Sequence, residues 1–280
     1  MTTHITPSTD GTQIAWTEAG PRGAPAILLI HGWAQQFTCW QPTIDRLQDR
    51  FHLVAMDLRG HGASGKPEDP AAYTDTQLWS DDVAAVIAAA NLARPTLVGW
   101  SYGSRVIAAH LATRGCAHLA GVVLAGGILA IGKAREDWMV GASSPGLDRD
   151  LYTEDVPRRL AATARFVAAC TAEPLDRTTY AELVGANMLC PAHVRRALFG
   201  ADVDLRPAYA ALTRPGLAIH GLADTVVTAR TGETAAGLMP KGRFLGYEGV
   251  GHAPFLEAPD RFAADLSEFV TMANTEAADA

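Results

Sequence analysis

Residues 97–106 read LVGWSYGSRV and place Ser101 between two glycines, Gly99 and Gly103. A strand that leads directly into a helix must turn sharply, and flanking glycines remove the Cβ atoms that would clash in such a turn. The serine is then forced outward, with its hydroxyl at the carboxyl edge of the sheet and the N-terminus of the helix. A hydroxyl in that position is suited to nucleophilic attack. A chain with 26 glycines can contain this spacing by chance. The interpretation therefore depends on the predicted strand before the serine and the predicted helix after it.

A serine nucleophile needs a base to take its proton, and a histidine base needs a carboxylate to orient it. In the segment GLAIHGLADTVV, Asp224 lies just after an apolar strand, and in YEGVGHAPF, His252 lies in a glycine-rich loop after the next strand. The order Ser, Asp, His is expected when successive strand ends of one sheet supply the three groups. The sequence therefore predicts Ser101 as nucleophile, His252 as general base and acid, and Asp224 as the orienting acid.

Other ionisable residues compete for these roles. Asp57 lies at a strand end and is the rival carboxylate, although it precedes Ser101 in the chain and is expected to support a loop. His31 and His61, in the settings HG and RGHG, are expected to bind backbone groups in tight loops. His252 is one of nine histidines, and the alternative for it is an ordinary surface residue.

The elements that must position these groups alternate between strand and helix. Short apolar runs predict strands at 26–30, 53–56, 96–100, 121–124, 217–220 and 244–247. Several runs are apolar on both faces, which is typical of a parallel sheet covered by helices. Apolar residues recur at helical spacing after the capping-box sequence TDTQ and again along 262–270. The alternation predicts an α/β fold, with a mostly parallel central sheet, flanking helices and right-handed crossovers.

The alternation fails between about residues 127 and 210. No convincing buried strand is found there, whereas apolar residues repeat helically along 156–167 and 180–188. Since a strand precedes this segment and another follows it, we expect a helical cap over the C-terminal edge of the sheet. The predicted domains are a core formed by residues 1–126 and 211–280 and a cap formed by residues 127–210.

Five stretches carry a resemblance to a known family, namely VGWSYGS, HGLAD, GVGHAPFLEAPDRF, LLIHGW and DLRGHGASGKP. Together they resemble the α/β-hydrolase fold superfamily, and within it the esterase, haloperoxidase-like and lactonase relatives. HGW with GWS is also similar to a methyl esterase acting on short acyl groups carried on a carrier protein. The resemblance covers the core on both sides of residues 127–210 and implies the same three catalytic residues.

An oxyanion hole requires two backbone N–H groups aimed at the developing charge, and one of them should follow the nucleophile, at Tyr102. The second is expected from the loop after strand 26–30, where the resemblance implies the N–H of Trp33. Two residues depart from the family pattern, Ser104 where relatives often have a glycine and Thr228 where a proline often follows the acid loop. We expect only small packing differences from them.

The chemistry expected of these residues is acyl transfer. A serine at the turn argues against haloalkane dehalogenase or epoxide hydrolase chemistry, which needs an aspartate there. The leading interpretation is a serine hydrolase acting on carboxylic esters of small apolar or aromatic acids through an acyl-enzyme on Ser101. The alternatives are a cofactor-free haloperoxidase or perhydrolase, a lactonase, a C–C bond hydrolase, an acyltransferase and a low-turnover ligand sensor.

A small apolar pocket over Ser101 is expected to select the acyl group. Large apolar residues near the turn and in the cap are the candidates for its lining, although such residues more often belong to the core. The candidates are Trp33, Trp138, Met139, Phe166 and Met188.

Composition limits the partners. The net charge of −7 opposes binding to nucleic acid or an anionic membrane, and no apolar run approaches the roughly 20 residues of a membrane span. Four cysteines lie scattered without metal-ligand spacing, which favours reduced thiols and a cytoplasmic protein. We therefore expect no metal and no cofactor, and a small-molecule ester or lactone as the partner. The sequence leaves the oligomeric state open.

Overall fold

A computed structural model describes residues 2–278, in which strands and helices alternate through most of the chain. The strands are β1 (Thr3–Pro7), β2 (Gln13–Ala19), β3 (Ala26–Ile30), β4 (His52–Met56), β5 (Thr96–Trp100), β6 (Gly121–Ala125), β7 (Ala130–Ile131), β8 (Val203–Asp204), β9 (Gly216–Gly221) and β10 (Gly242–Tyr247). The α-helices are α1 (Gln41–Leu47), α2 (Ala71–Thr74), α3 (Thr76–Ala89), α4 (Gly103–Arg114), α5 (Val156–Ala169), α6 (Arg177–Met188), α7 (Ala192–Leu198), α8 (Arg206–Ala210), α9 (Ala229–Leu238), α10 (Pro254–Glu257) and α11 (Pro259–Ala278). Short 3-10 turns lie at Phe37–Trp40, Gly132–Ala134, Asp137–Met139, Pro145–Leu147 and Arg149–Tyr152.

The central sheet has eight strands in the order β1-β2-β4-β3-β5-β6-β9-β10. The pairs β1/β2 and β2/β4 are antiparallel and all the others are parallel. The predicted α/β fold with a mostly parallel sheet is confirmed, and the six predicted strands are all present with ends shifted by two residues at most. The antiparallel strands β1 and β2 were not predicted. The edge strand β1 alternates between exposed and half-buried positions, so it lacks the apolar run that marks the others.

Both faces of the sheet are covered, because alternate side chains of each central strand enter two separate cores. In β3, Leu28 and Ile30 face the core that includes residues of α3, α4 and α9, whereas Ile27 and Leu29 face the core that includes residues of α1, α10 and α11. Each large aliphatic side chain buried in this way contributes about 1.5–3 kcal/mol. This burial fixes the strand register, and with it the positions of the loops at the carboxyl edge of the sheet.

The predicted crossover helix is α3, which begins at Thr76. Its N-cap is Asp75, whose carboxylate accepts a hydrogen bond of 2.8 Å from the N–H of Gln77. The predicted apolar stripe of the last helix is buried in the core on the opposite face of the sheet, since Phe262, Leu266, Phe269 and Val270 belong to that core.

The segment between β6 and β9 contains the 3-10 turns after residue 131, helices α5 to α8 and a small antiparallel pair, β7 with β8. The expectation that it holds no convincing buried strand was wrong for β7, whose two residues are both buried, because a two-residue strand is too short to show a periodicity. Helix α8 is bound to the core, since the hydroxyl of Tyr209 donates a 2.9 Å hydrogen bond to the carbonyl of Ser104 in α4. The domain boundaries at 127 and 210 stay a prediction. Among residues 2–278, no helix combines the length and apolarity needed to cross a bilayer.

Candidate active site

The turn between β5 and α4 holds Ser101 in the left-handed region of backbone space, with φ of +51°. Both flanking positions must be glycine, because a Cβ atom at either one would clash with the backbone. A Cβ on Gly99 would lie 2.8 Å from the carbonyl carbon of Gly103, and a Cβ on Gly103 would lie 2.5 Å from the carbonyl oxygen of Ile30. The N–H of Ser101 donates to the carbonyl of Ala125 on the neighbouring strand, at 2.9 Å. The sheet therefore holds a strained serine at its carboxyl edge.

Ser104 supports this turn with its hydroxyl. Its Oγ lies 2.5 Å from the carbonyl oxygen of Ser101, to which it donates, and it accepts the N–H of Ile128 at 2.9 Å. The serine that replaces a common glycine thus ties the turn to the start of the segment after β6. Sequence reasoning noted the departure from the family pattern but did not assign this function to it.

Asp224 and His252 are brought together from the loops after β9 and β10. The Nδ1 of His252 lies 2.8 Å from Oδ2 of Asp224, and both side chains are almost completely buried. The other carboxylate oxygen, Oδ1, accepts the N–H groups of Val226 and Val227 at 2.8 and 3.0 Å. With Nδ1 donating to the carboxylate, Nε2 of His252 is left free to accept a proton. His252 and Ser101 line the same cavity.

The charge of Asp224 is maintained by its partners. Burial by itself raises the pKa of this carboxyl, but the attraction of His252 and the hydrogen bonds from His220 and His252 together outweigh it and hold the pKa well below its ordinary value. Asp224 therefore stays ionised at neutral pH and is able to stabilise a protonated imidazole beside it.

Sequence reasoning missed His220, the second histidine on this carboxylate. Its Nε2 lies 2.9 Å from Oδ2 of Asp224 and 3.1 Å from the carbonyl oxygen of Val227. The available signal was a histidine inside a buried apolar strand, four residues before the acid.

The two residues expected to supply the oxyanion hole belong to the same cavity as Ser101. Trp33, from the loop after β3, and Tyr102, directly after the nucleophile, both line it and are almost inaccessible to solvent. Within residues 2–278, neither backbone N–H donates to a protein acceptor. Both N–H groups are therefore available for the oxyanion hole that the sequence predicts.

The loop that carries Trp33 is held by two neutral histidines. His31 accepts the N–H of Leu58 at Nε2, 3.0 Å away, and its Nδ1 contacts the carbonyl of Gly32 at 2.7 Å. His61 accepts the N–H of Ala34 at Nε2, 3.1 Å away, and burial lowers the pKa of His61 to about 4. Both histidines bind backbone groups, as the sequence predicted.

Asp57, the rival acid, has no hydrogen bond to His252. Its Oδ1 accepts the N–H of Phe37 at 2.7 Å and its Oδ2 accepts the N–H of Ala63 at 2.8 Å. Burial raises the pKa of Asp57 to about 6, against the opposing effect of these hydrogen bonds. Asp57 therefore joins two loops, and no histidine within residues 2–278 donates a hydrogen bond to it.

The cavity over Ser101 is mostly apolar and is formed by both the core and the segment after β6. Of the five residues predicted to line it, Trp33, Met139 and Phe166 do so. The full lining consists of Trp33, Trp100, Ser101, Tyr102, Ile128, Leu129, Ala130, Ile131, Arg135, Met139, Val140, Ser144, Pro145, Phe166, Phe199, Val226, Val227, Thr231 and His252.

The prediction was wrong for Trp138 and Met188, which are not among the lining residues. Trp138 donates its indole N–H to the exposed carboxylate of Glu136 at 2.8 Å, and its ring lies 4.6 Å from the guanidinium of Arg230. These contacts hold the indole away from the cavity. Met188 is the last residue of α6, where it is half-buried outside the cavity.

The arrangement as a whole is suited to acyl transfer. It combines a serine at the carboxyl edge of the sheet with a histidine whose Nδ1 is fixed by an ionised carboxylate. Two residues whose backbone N–H groups have no acceptor within residues 2–278 line the same apolar cavity. Among the described lining residues, the basic side chains are those of Arg135 and His252. Selectivity in such a cavity follows from its apolar walls and from the guanidinium of Arg135.

Comparison with known proteins agrees with this geometry. The sequence model of the alpha/beta hydrolase family matches residues 27–265. The crystal structure of an esterase from Rhodococcus sp. ECU1013 superposes with a TM-score of 0.91 at 35% identity, over 97% of this chain and 99% of that chain. A pimeloyl-(acyl-carrier protein) methyl ester esterase of Xanthomonas campestris pv. campestris (strain B100) is 32% identical over 257 residues, covering 88% of this chain and 95% of the relative. Its counterpart from Nitrosomonas europaea is 29% identical over 248 residues, covering 86% of this chain and 93% of that protein.

Proposed function

This chain belongs to the α/β-hydrolase family, and we propose that it hydrolyses carboxylic esters of small apolar or aromatic acids through an acyl-enzyme on Ser101. The observation that carries the proposal is the 2.8 Å contact between Nδ1 of His252 and Asp224, in the cavity that also holds Ser101. That contact fixes the imidazole tautomer whose Nε2 is able to take a proton from a serine.

The proposed reaction runs in two halves, and His252 transfers a proton in both of them. The Oγ of Ser101 attacks the ester carbonyl carbon while Nε2 of His252 takes its proton. The negative oxygen of the tetrahedral intermediate is stabilised by the N–H groups of Trp33 and Tyr102. The carbonyl then re-forms, the bond to the alcohol breaks, and His252 protonates the leaving alcohol. In the second half, His252 activates a water molecule, which releases the acid from Ser101, while Asp224 stays ionised throughout.

The cavity lining supports a compact acyl group. Met139, Phe166, Phe199 and Val227 provide apolar walls over the serine. Each methylene that enters such a pocket adds about 0.8 kcal/mol until the end of the pocket is reached. We therefore expect kcat/KM to pass through a maximum at acyl chains of a few carbons and to fall for longer ones.

Ser101→Ala tests the nucleophile. We expect it to lower kcat by about 10⁴-fold or more while the circular dichroism spectrum is unchanged, and to abolish labelling by a fluorophosphonate. A panel of p-nitrophenyl esters from acetyl to palmitoyl, assayed on the wild-type enzyme, tests the acyl pocket. Labelling of a serine other than Ser101, or a steady rise to the longest chains with activation at a lipid interface, contradicts the proposal.

A second candidate is a methyl ester carried on an acyl-carrier protein. It is supported by the names of the curated relatives and by Arg135, which lines the cavity and forms no ion pair within the described residues. Such a substrate carries an anionic phosphate on the arm that links its acyl chain to the carrier, and a cation near the cavity would attract that phosphate. Carrier-bound and free methyl esters of the same acid, assayed with wild type and Arg135→Ala, separate the two candidates. A preference for the carrier-bound ester that Arg135→Ala removes favours the second one.

The identity of the acyl acceptor and the cellular location of the protein are also proposals. Perhydrolysis and lactone opening would use the same three residues and differ in acceptor or substrate, so assays with hydrogen peroxide and with lactones distinguish them. We also propose a cytoplasmic location, which is supported by four cysteines that are all buried and unpaired in the described chain.

A further inference from the structure

The carboxylate of Asp224 has a second histidine partner besides His252. The side chain of His220, at the end of β9, is completely buried. Its Nε2 faces two oxygen acceptors, Oδ2 of Asp224 at 2.9 Å and the carbonyl oxygen of Val227 at 3.1 Å. Since neither oxygen donates a hydrogen, Nε2 itself must carry one.

The other ring nitrogen of His220 is unused. Nδ1 is buried and has no hydrogen-bond partner within residues 2–278. A Cβ placed on Gly232 of α9 would lie only 2.7 Å from this atom, so a glycine is needed to leave space for the ring. A proton on Nδ1 would therefore be buried without an acceptor, so the ring donates through Nε2 alone. Its hydrogen-bond contacts are all with the loop that carries Asp224.

Asp224 consequently accepts four N–H groups. Two backbone N–H groups, from Val226 and Val227, bind Oδ1, whereas His220 and His252 share Oδ2. Without His220, the oxygen that faces His252 would be held by His252 alone. The orientation of the acid would then depend on the residue that it has to orient.

We propose that His220 is a positioning residue, which holds Oδ2 of Asp224 in line with Nδ1 of His252 through the whole reaction. The proposal rests on the proposed function of Ser101, His252 and Asp224. Because His220 acts only through Asp224, its loss should lower kcat and leave KM unchanged. A misplacement of about 1 Å in such a group lowers a rate by up to about 10²-fold.

The pH profile provides a readout that packing alone would not change. His220 takes up part of the charge on Oδ2, so its removal leaves more negative charge facing the imidazolium form of His252. The acid limb of the kcat/KM profile should then move to higher pH. Cys170 lies near Asp224, and Glu257 accepts the N–H of Gly251 next to His252, at 2.8 Å; burial raises the pKa of both groups. Neither is altered in the variants below.

The test compares two substitutions at one position. In His220→Gln, the amide nitrogen lies three bonds from Cβ, as Nε2 does in histidine, and keeps the donor. His220→Leu removes the donor and keeps much of the volume. We expect His220→Leu to lower kcat at least about tenfold and to shift the acid limb upward, and His220→Gln to restore most of both. The rate of phosphonylation of Ser101 by a fluorophosphonate, which releases fluoride, should follow kcat.

A matched control is His52→Leu. His52 is also a buried strand histidine whose Nε2 contacts a carboxylate, Glu18, at 2.9 Å, but it lies outside the cavity. We expect this variant to lose stability and to keep the wild-type pH profile. If His220→Leu does not fold, His220→Asn replaces it, since its amide ends two bonds from Cβ and falls short of Oδ2.

Three results would overturn the proposal. Wild-type kcat and pH profile in a folded donor-free variant would show that His220 has no influence on Asp224. An equal loss in His220→Gln and His220→Leu would show that the ring matters for packing alone. A profile shift of the same size in His52→Leu would show that the shift is unspecific. Failure of the wild-type enzyme to be labelled at Ser101 would instead contradict the proposed function itself, so the two failures are distinguishable.

Discussion

Two buried aspartates at the same edge of the sheet differ sharply. Asp57 follows β4 and Asp224 follows β9, and the side chains of both are inaccessible to solvent or nearly so. Each accepts two backbone N–H groups, which fix the loops around it. Yet burial raises the pKa of Asp57 to about 6, whereas the pKa of Asp224 is held well below its ordinary value.

The difference comes from the histidines beside them. Asp224 receives N–H groups from His220 and His252. The histidine beside Asp57 is His31, whose Nε2 is 4.0 Å from Oδ1 and is already occupied as acceptor of the N–H of Leu58. It has no hydrogen to offer to the carboxylate. Two equally buried carboxylates therefore differ in function. Asp224 stays charged and is able to orient a base, whereas Asp57 binds backbone N–H groups and joins two loops.

The largest effect is expected from Asp224→Asn. The amide keeps the shape of the side chain but is able to donate a hydrogen to His252, which favours the wrong imidazole tautomer. We expect kcat to fall by roughly 10⁴-fold, measured with an activated ester under saturating conditions. Urea unfolding of the same protein serves as the control for folding. A folded Asp224→Asn variant with nearly wild-type kcat would show that Asp224 is not the orienting acid.

Gly62→Ala tests the structural side. Gly62 has φ of +45°, and a Cβ there would lie 2.0 Å from Oδ2 of Asp57. We expect the free energy of unfolding to fall by about 3 kcal/mol, from backbone strain and from displacement of the carboxylate. Gly11→Ala is the matched control, since Gly11 has φ of +84° and nothing within 4 Å of the added Cβ. Its loss should be about 1 kcal/mol. Equal losses in the two variants would show that the Asp57 contact is unimportant for stability.

The smallest effect is expected from Asp57→Asn, and it depends on pH. The pKa of Asp57 is raised to about 6 in the folded protein, above the roughly 3.9 of an unfolded chain. Its contribution to stability is therefore fully present below about pH 4 and is lost as the pH rises through about 6. Asparagine does not titrate, so the stability advantage of wild type over the variant should shrink by up to about 2 kcal/mol between pH 4.5 and 8.

Urea unfolding of both proteins at the two pH values measures this change. The kcat of the folded Asp57→Asn variant should stay within about threefold of wild type, because Asp57 has no hydrogen bond to His252. An advantage that grows with pH would mean that the pKa of Asp57 is lowered. A loss of activity comparable to that of Asp224→Asn would exchange the functions of the two aspartates.

Much of the fold could be predicted because its signals are local. The central strands are apolar on both faces, and Gly99 and Gly103 mark the turn at Ser101 through contacts with residues of the same turn and the neighbouring strand. The edge strand β1 could not be found in this way, because half of its side chains meet solvent. The two-residue strands β7 and β8 form only because distant parts of the chain pair with each other.

The residues that line the cavity could not be predicted from local sequence patterns alone. Met139 and Trp138 are neighbours in sequence and both are large and apolar, yet only Met139 lines the cavity. Met139 is buried in the core, whereas Trp138 is only partly buried against the same core and contacts the exposed residues Glu136 and Arg230. Hydrophobicity alone does not distinguish them.

The sequence by itself determined the fold class and the order of the three proposed catalytic residues, since strand periodicity and glycine spacing are properties of neighbouring residues. Only the tertiary structure decided which aspartate meets a histidine N–H. The partners of Asp224 come from strand β9, from the loop that follows it and from the loop after β10, whereas those of Asp57 come from the loops after β3 and β4. A carboxylate's charge is set by donors within about 3 Å, and no pattern along the chain records distances between segments that folding brings together.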